Sequence, residues 1–230
     1  MLEQNLLISL DGTRFFSSQK LQCPRCSHRT STNESTGEET TIHYHEVIIP
    51  VLVAPGNQRV ITLEPEFIVP QDGHDKQDCE QVAAKRWVKR NDGRYDRYRY
   101  TFLGDDIYAC QPICELVLES GFNFIFVCKP DSHVALYEQV DFLSNLEAVE
   151  QFRIRHWNGR YAEIHEYRFL NQVPLRRGEN ALEVNWCEIT MTREDTGRRL
   201  YYNTFITNHL LERNNVGAIV REGRARWKSE

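Results

Sequence analysis

The 230-residue sequence has no run approaching the roughly 18 apolar residues needed to span a bilayer as a helix. Its opening stretch, MLEQNLLISLDG, lacks the basic region and long apolar core of a secretory signal. Together these absences exclude a helical membrane protein and predict a cytoplasmic one. No internal repeat or low-complexity linker interrupts the chain, and 40% of its residues are hydrophobic, enough for a sizeable core and against disorder. Seven cysteines, an odd number scattered over a long chain, do not read as a disulfide framework. An excess of positive charge is also missing: the formal net charge is -5, which taken alone counts against a nucleic-acid partner.

The charge is unevenly spread, however. The segment KRWVKRNDGRYDRYRY (85–100) concentrates Lys85, Arg86, Lys89 and Arg90, then Arg94, Arg97 and Arg99, with Trp87, Tyr95, Tyr98 and Tyr100 between them. The tail adds Arg221, Arg224, Arg226 and Lys228. Cations that neutralise phosphates beside rings that stack on bases suit a DNA surface. A solvated helix face is the plainer explanation of the same run.

Hydrophobic patterning predicts an α/β chain. NLLISLDG reads as a short buried strand ending at Asp11, and HEVIIPVLVAPG and RVITLEPEFIVP read as two further strands of a meander. DKQDCEQVAAKRWVKR then turns to helical spacing. YTFLGDD, QPICELVLESG, FNFIFVCKP and SHVALYEQVDFLSNL continue as strand, helix, strand and helix. From Glu150 to Thr207 the pattern is imperfect alternation broken by NGR, RRGE and EDTGR, predicting a β-rich insertion outside the central sheet whose Arg153, Arg155, Trp157 and Arg160 face DNA. HLLERNNVGAIVREGRARWKSE is helical again. The expected plan is residues 1–149 as the first part of a core, 150–207 as the insertion and 208–230 as the core's last helix.

This order places Asp11 at the end of the first strand, Asp105 and Asp106 at the end of the fourth, and Glu230 on the last helix. First and fourth strands of such a succession are commonly neighbours, so their carboxylates share one sheet edge. Clustered carboxylates repel, and hard divalent cations such as Mg2+ relieve that repulsion. Two such ions can drive phosphodiester displacement. Singly, Asp11 is a turn residue beside Gly12, and Asp105 or Asp106 a helix cap.

SLDGTRFFSS, FLGDDIYACQPICELVLESGFNFIFVCKPDSH and RARWKSE also resemble the catalytic core of the DDE transposases of bacterial insertion sequences, in the group with a β insertion before the final Glu. The resemblance covers nearly the whole chain. It implies a ribonuclease-H-like mixed sheet with flanking helices, with Asp11, Asp105 and Glu230 binding Mg2+ or Mn2+, and DNA ends and target as partners of a homodimer. Asp105-Asp106-Ile107-Tyr108 matches the family's Asp-x-x-Tyr/Phe, which favours Asp105 and keeps Asp106 as an alternative. In the signature Tyr-x2-Arg-x3-Glu, Arg226 and Glu230 match while Gly223 stands in place of the Tyr. Short flanks on both sides lead to the expectation of a truncated transposase. A catalytically defective DNA-binding remnant and a hydrolytic nuclease are the alternatives.

One cysteine pair has ligand spacing. Cys23-x-x-Cys26 has the turn geometry of a zinc knuckle, and His43 and His45 complete a tetrahedral set. With these two histidines expected on opposite faces of their strand, His28 is a substitute for one of them. A hairpin with reduced thiols is the alternative to zinc within 23–45.

Overall fold

Leu6, Leu7 and Ile8 form the middle of β1 (Asn5–Ser9), a strand short enough to be covered on both sides. The computed structural model describes residues 5–69, 78–94 and 99–229. Beside β1 lie β2 (Gly12–Ser18), β3 (Ser27–Thr32), β4 (Glu39–Ile48), β5 (Val51–Val53), β6 (Ile61–Thr62) and β7 (Glu66–Ile68). Helix α1 (Glu80–Asn91) leads to β8 (Arg99–Gly104), α2 (Gln111–Glu119), β9 (Asn123–Val127) and α3 (Val134–Asn145). Four long strands follow: β10 (Glu150–Trp157), β11 (Ala162–Pro174), β12 (Glu183–Arg193) and β13 (Arg199–Thr207). The last helix, α4 (Val216–Arg224), runs into a 3₁₀ stretch, Ala225–Ser229.

Nine strands make one mixed sheet in the order β10-β11-β12-β13-β9-β8-β1-β5-β6. β1 is antiparallel to β5 and parallel to β8, and β8 is parallel to β9. A second sheet has the order β2-β4-β3, with β7 added on β4. One face of the large sheet packs Phe102, Phe124, Phe126 and Trp186 under α1, α2 and α3, with Trp87 of α1 meeting Phe102. The other packs Leu103, Ile125, Phe205 and Cys187 under α4. No helix among the described residues is long and apolar enough to cross a membrane.

Two expectations are corrected here. The predicted three-strand meander is present as β1, β5 and β6, but its second and third runs are each split, with β4 before Pro50 and β7 after β6 joining β2 and β3 in the small sheet. The block from 150 to 207 is not a separate unit: β13 pairs with β9 through Phe205↔Val127 and Thr207↔Ile125, extending the central sheet. The reason is visible in Val184-Asn185-Trp186-Cys187 and in Thr204-Phe205-Ile206-Thr207, whose consecutive residues are all buried and so need cover on both faces. Such runs belong inside a sheet, whereas the alternation that suggested an insertion is confined to the outer ends of these strands. Out there Arg153 and Arg155 pair with Glu166 and Glu194 at 3.0 and 2.8 Å, while Trp157 is exposed.

Helix α4 buries Val216, Ile219, Val220 and Gly223. Next to Gly223, Glu222 is lifted by burial to about 7, against the opposing effect of Arg221, and one of its oxygens has no hydrogen-bond partner among the described residues. Between the ordinary carboxylate value and 7 the folded protein holds the proton that the unfolded chain releases, so stability falls as pH rises through that window. Glu222→Gln should therefore be more stable than the parent above about pH 7, by on the order of 1–2 kcal/mol after solvent screening, and indistinguishable from it near pH 4. Denaturant melts of both proteins at the two pH values check this, and a gap between them that does not widen from pH 4 to above pH 7 refutes it.

Candidate active site

Asp105 directly follows β8, and Asp11 follows β1 after Leu10. The β1–β8 register ends at Ser9↔Leu103, and the Leu10 N–H continues the ladder by donating to Leu103 O at 2.9 Å. Two residues beyond Ser9 and Leu103 the two carboxylates leave the same edge of the sheet. Asp105 also caps the 3₁₀ turn Asp106–Tyr108, accepting from the Ile107 N–H at 3.0 Å. The capping role read from sequence is thus real and coexists with its position beside Asp11.

A third carboxylate, which the sequence reading missed, belongs to this cluster. Glu80 opens α1 and accepts a hydrogen bond of 2.6 Å from the Tyr108 hydroxyl and another from the Gly12 backbone N–H. Burial raises its pKa, and the charges of Asp105 and Asp11 raise it further. The same two aspartates, after burial and Glu80, push the Tyr108 hydroxyl upward, so that phenol stays protonated and donating. Glu80 comes this close because residue 12 is glycine: a Cβ there would stand 2.5 Å from Glu80 Oε2. The available signal was the Asp11-Gly12 pair itself, read only as a turn, and an acidic residue at the start of the first helix.

Asp106 points elsewhere. Its Oδ1 accepts from the Lys129 N–H and lies 3.4 Å from His133 Nε2, whose pKa is lowered by burial. It thereby ties the turn after β8 to the loop after β9. Of the two adjacent aspartates, Asp105 shares its surroundings with Asp11. Glu230 lies outside the described residues.

Arg226 is half-buried on the 3₁₀ stretch after α4, and its backbone carbonyl accepts from Ser9 Oγ at 3.2 Å, two residues before Asp11. Gly223 packs against the sheet: a Cβ there would meet Phe205 Cε1 at 2.8 Å and Ile125 Cγ2 at 3.0 Å, which leaves no room for an aromatic side chain.

The basic run divides by role. Arg86 bonds Glu66 at 2.9 Å and both oxygens of Asp78 at 2.9 and 2.8 Å, and Arg90 bonds Glu66 at 2.7 Å. These two arginines clamp α1 onto β7. Lys89 is exposed and Lys85 half-buried, while residues 95–98 lie outside the described set. Arg224, Lys228 and Trp227 border a cleft against Pro55, Asn57 and Gln58, with the Lys228 ammonium donating to Ala54 O at 2.6 Å.

Hard oxygen donors in a half-buried setting are the donor set a divalent cation requires. Asp11, Asp105 and Glu80 are nevertheless spread more widely than a single compact shell. The one trio of metal-binding side chains among the described residues whose ligand atoms all lie within 4.8 Å is Cys23, Cys26 and His45. That trio excludes His43, which the sequence reading had included. The expectation that His43 and His45 diverge is also wrong, since residues two apart in a strand share a face. His43 instead stands opposite His28, with ring centroids 6.4 Å apart.

A scan against protein-family models and a search of curated proteins each returned no match to this chain.

Proposed function

We propose that the chain is the catalytic core of a DDE-type transposase of ribonuclease-H-like fold, cutting DNA at insertion-sequence ends and joining it to a target. The observation that carries this reading is the pair Asp11 and Asp105 at the carboxyl ends of adjacent parallel strands, electrostatically coupled through Glu80. The strand order β6-β5-β1-β8-β9, three antiparallel neighbours followed by two parallel ones, supports the ribonuclease-H-like assignment.

In this reading Asp11 and Asp105 hold Mg2+ or Mn2+, with Glu230 as the expected third ligand. The bound metal supplies Lewis acidity to the phosphate and a more nucleophilic water or 3′-hydroxyl. The chain's own contribution is placement. Backbone pairing of β1 with β8 sets the spacing of the two aspartates, and the Ile107 N–H orients Asp105. Tyr108 and the Gly12 N–H hold Glu80 at the back of the site, where burial favours its protonated form. In this reading Lys85, Lys89 and Arg226 contact DNA, while Arg86 and Arg90 hold acidic partners of the chain itself.

The purified protein should nick duplex DNA carrying insertion-sequence ends when Mn2+ or Mg2+ is present and leave it intact in EDTA. Joined products separate a transposase from a hydrolytic nuclease, which gives cut ends only. Nicking that survives EDTA, or none with either metal on the proper ends, would remove the proposal.

A further inference from the structure

Away from the carboxylates, the small sheet holds a second cluster of different chemistry. Cys23 Sγ and Cys26 Sγ each lie 3.4 Å from His45 Nε2 and 3.7 Å from one another. A disulfide needs sulfurs about 2.05 Å apart, so the two are separate thiols. A tetrahedral zinc ion with Zn–S bonds of about 2.3 Å and a Zn–N bond of about 2.0–2.1 Å spaces two sulfurs by about 3.8 Å and sulfur from nitrogen by about 3.6 Å. The three observed separations match the three edges of one tetrahedral face.

The surroundings are built to keep that face. The Cys26 N–H donates to Cys23 O at 3.0 Å, closing the turn, and the Cys23 N–H donates to Cys26 Sγ at 3.2 Å. Cys26 is buried and Cys23 exposed, so one side of the cluster opens to solvent. The His45 ring is stacked on Phe15 at 5.7 Å and tilted against Phe16 at 5.6 Å. Both phenylalanines reach it because of the bulge between Arg14 and Phe16 in the β2–β4 pairing.

We propose that Cys23, Cys26 and His45 bind one zinc ion, with solvent at the fourth corner, and that the ion fastens the β2–β3 connection to β4. Thiolate and imidazole donors select zinc over the hard cations suited to the aspartates, so this site is distinct from the proposed catalytic one. The sheet has need of such a fastening: five of the six residues of β3 are exposed, and so is Leu21 in the connection. With so little apolar contact to hold it, metal binding supplies the folding energy that a core supplies elsewhere.

Protein purified without chelator should carry one zinc per chain by elemental analysis, and Co2+ in its place should give a thiolate charge-transfer band with intense tetrahedral d–d absorption. Cys23→Ser, Cys26→Ser and His45→Ala should each weaken binding by at least a hundredfold. His43→Ala, one pair farther along the same face, should retain the metal within a few-fold. Because a ligand variant can fail to fold, the wild-type chain supplies a second readout: chelation should speed trypsin cleavage after Lys20 and Arg25 at least tenfold, and restored zinc should reverse it. Absence of stoichiometric metal, zinc retained by the Cys23 and His45 variants, or trypsin rates indifferent to chelation would each overturn the site, and loss of metal in His43→Ala would overturn the three-ligand set. None of these readouts depends on DNA cleavage, so the outcome is independent of the transposase reading.

Discussion

Asp105→Asn should lower metal-dependent DNA cleavage by on the order of a thousandfold or more, whereas Asp106→Asn should leave it within a few-fold. Asparagine keeps the volume of Asp105 and the oxygen that accepts from the Ile107 N–H, so the turn it caps survives. What disappears is the negative charge beside Asp11, and a neutral amide is a far poorer ligand for a hard cation. Asp106 is the internal control, being adjacent in sequence but directed to the Lys129 N–H and His133, where an asparagine oxygen still accepts. Asp11→Asn should reproduce the Asp105 result, and both proteins should melt as the parent does. Equal losses from Asp105→Asn and Asp106→Asn, or a loss confined to Asp106, would show that the wrong member of the pair has been placed in the site.

Trp87→Ala should cost about 3–5 kcal/mol of stability, the range for removing a large aromatic from a close-packed core. Against a typical total of about 5–15 kcal/mol that is enough to leave much of the protein unfolded at modest denaturant. Trp87 is 1% exposed, its ring meets Phe102 edge to face at 6.1 Å, and its indole N–H donates to Glu64 O at 2.7 Å. Truncation therefore opens a cavity and also removes the donor to the Glu64 carbonyl. The consequence reaches the site, because α1 carries Glu80 on its first turn and Trp87 is its largest buried side chain. Trp87→Phe keeps most of the packing and should cost less than half as much. Urea unfolding with an unchanged slope measures both values, and a cost below about 1 kcal/mol for the alanine variant would mean that α1 is held mainly by its arginine clamp.

Apolar runs and their punctuation were enough to locate β1, α1, β8, α2, β9, α3 and α4, because each is bounded by turn residues and matches one period. The same positional logic brought Asp11 and Asp105 to one edge, since strands that are parallel neighbours end together. Pairing was another matter. Whether Phe205 and Ile206 bond to β9 or close a separate β unit depends on which edge is free to accept them, and periodicity carries no information about partners. Glu80 was equally invisible, because its approach to Asp11 follows from the docking angle of α1 and from the missing Cβ at Gly12, 68 residues away. Arg86 and Arg90 looked like DNA contacts in a line of basic residues, yet Glu66 and Asp78 take them up once β7 folds against α1. By itself, then, the sequence determined the elements that punctuated apolar runs mark and the placing of Asp11 and Asp105 at neighbouring strand ends. Only the tertiary structure decided strand partners, the place of Glu80, the separate surroundings of Asp105 and Asp106, and the Cys23, Cys26 and His45 trio. The former depend on local sterics and periodicity, and the latter on contacts between segments that nothing local prescribes.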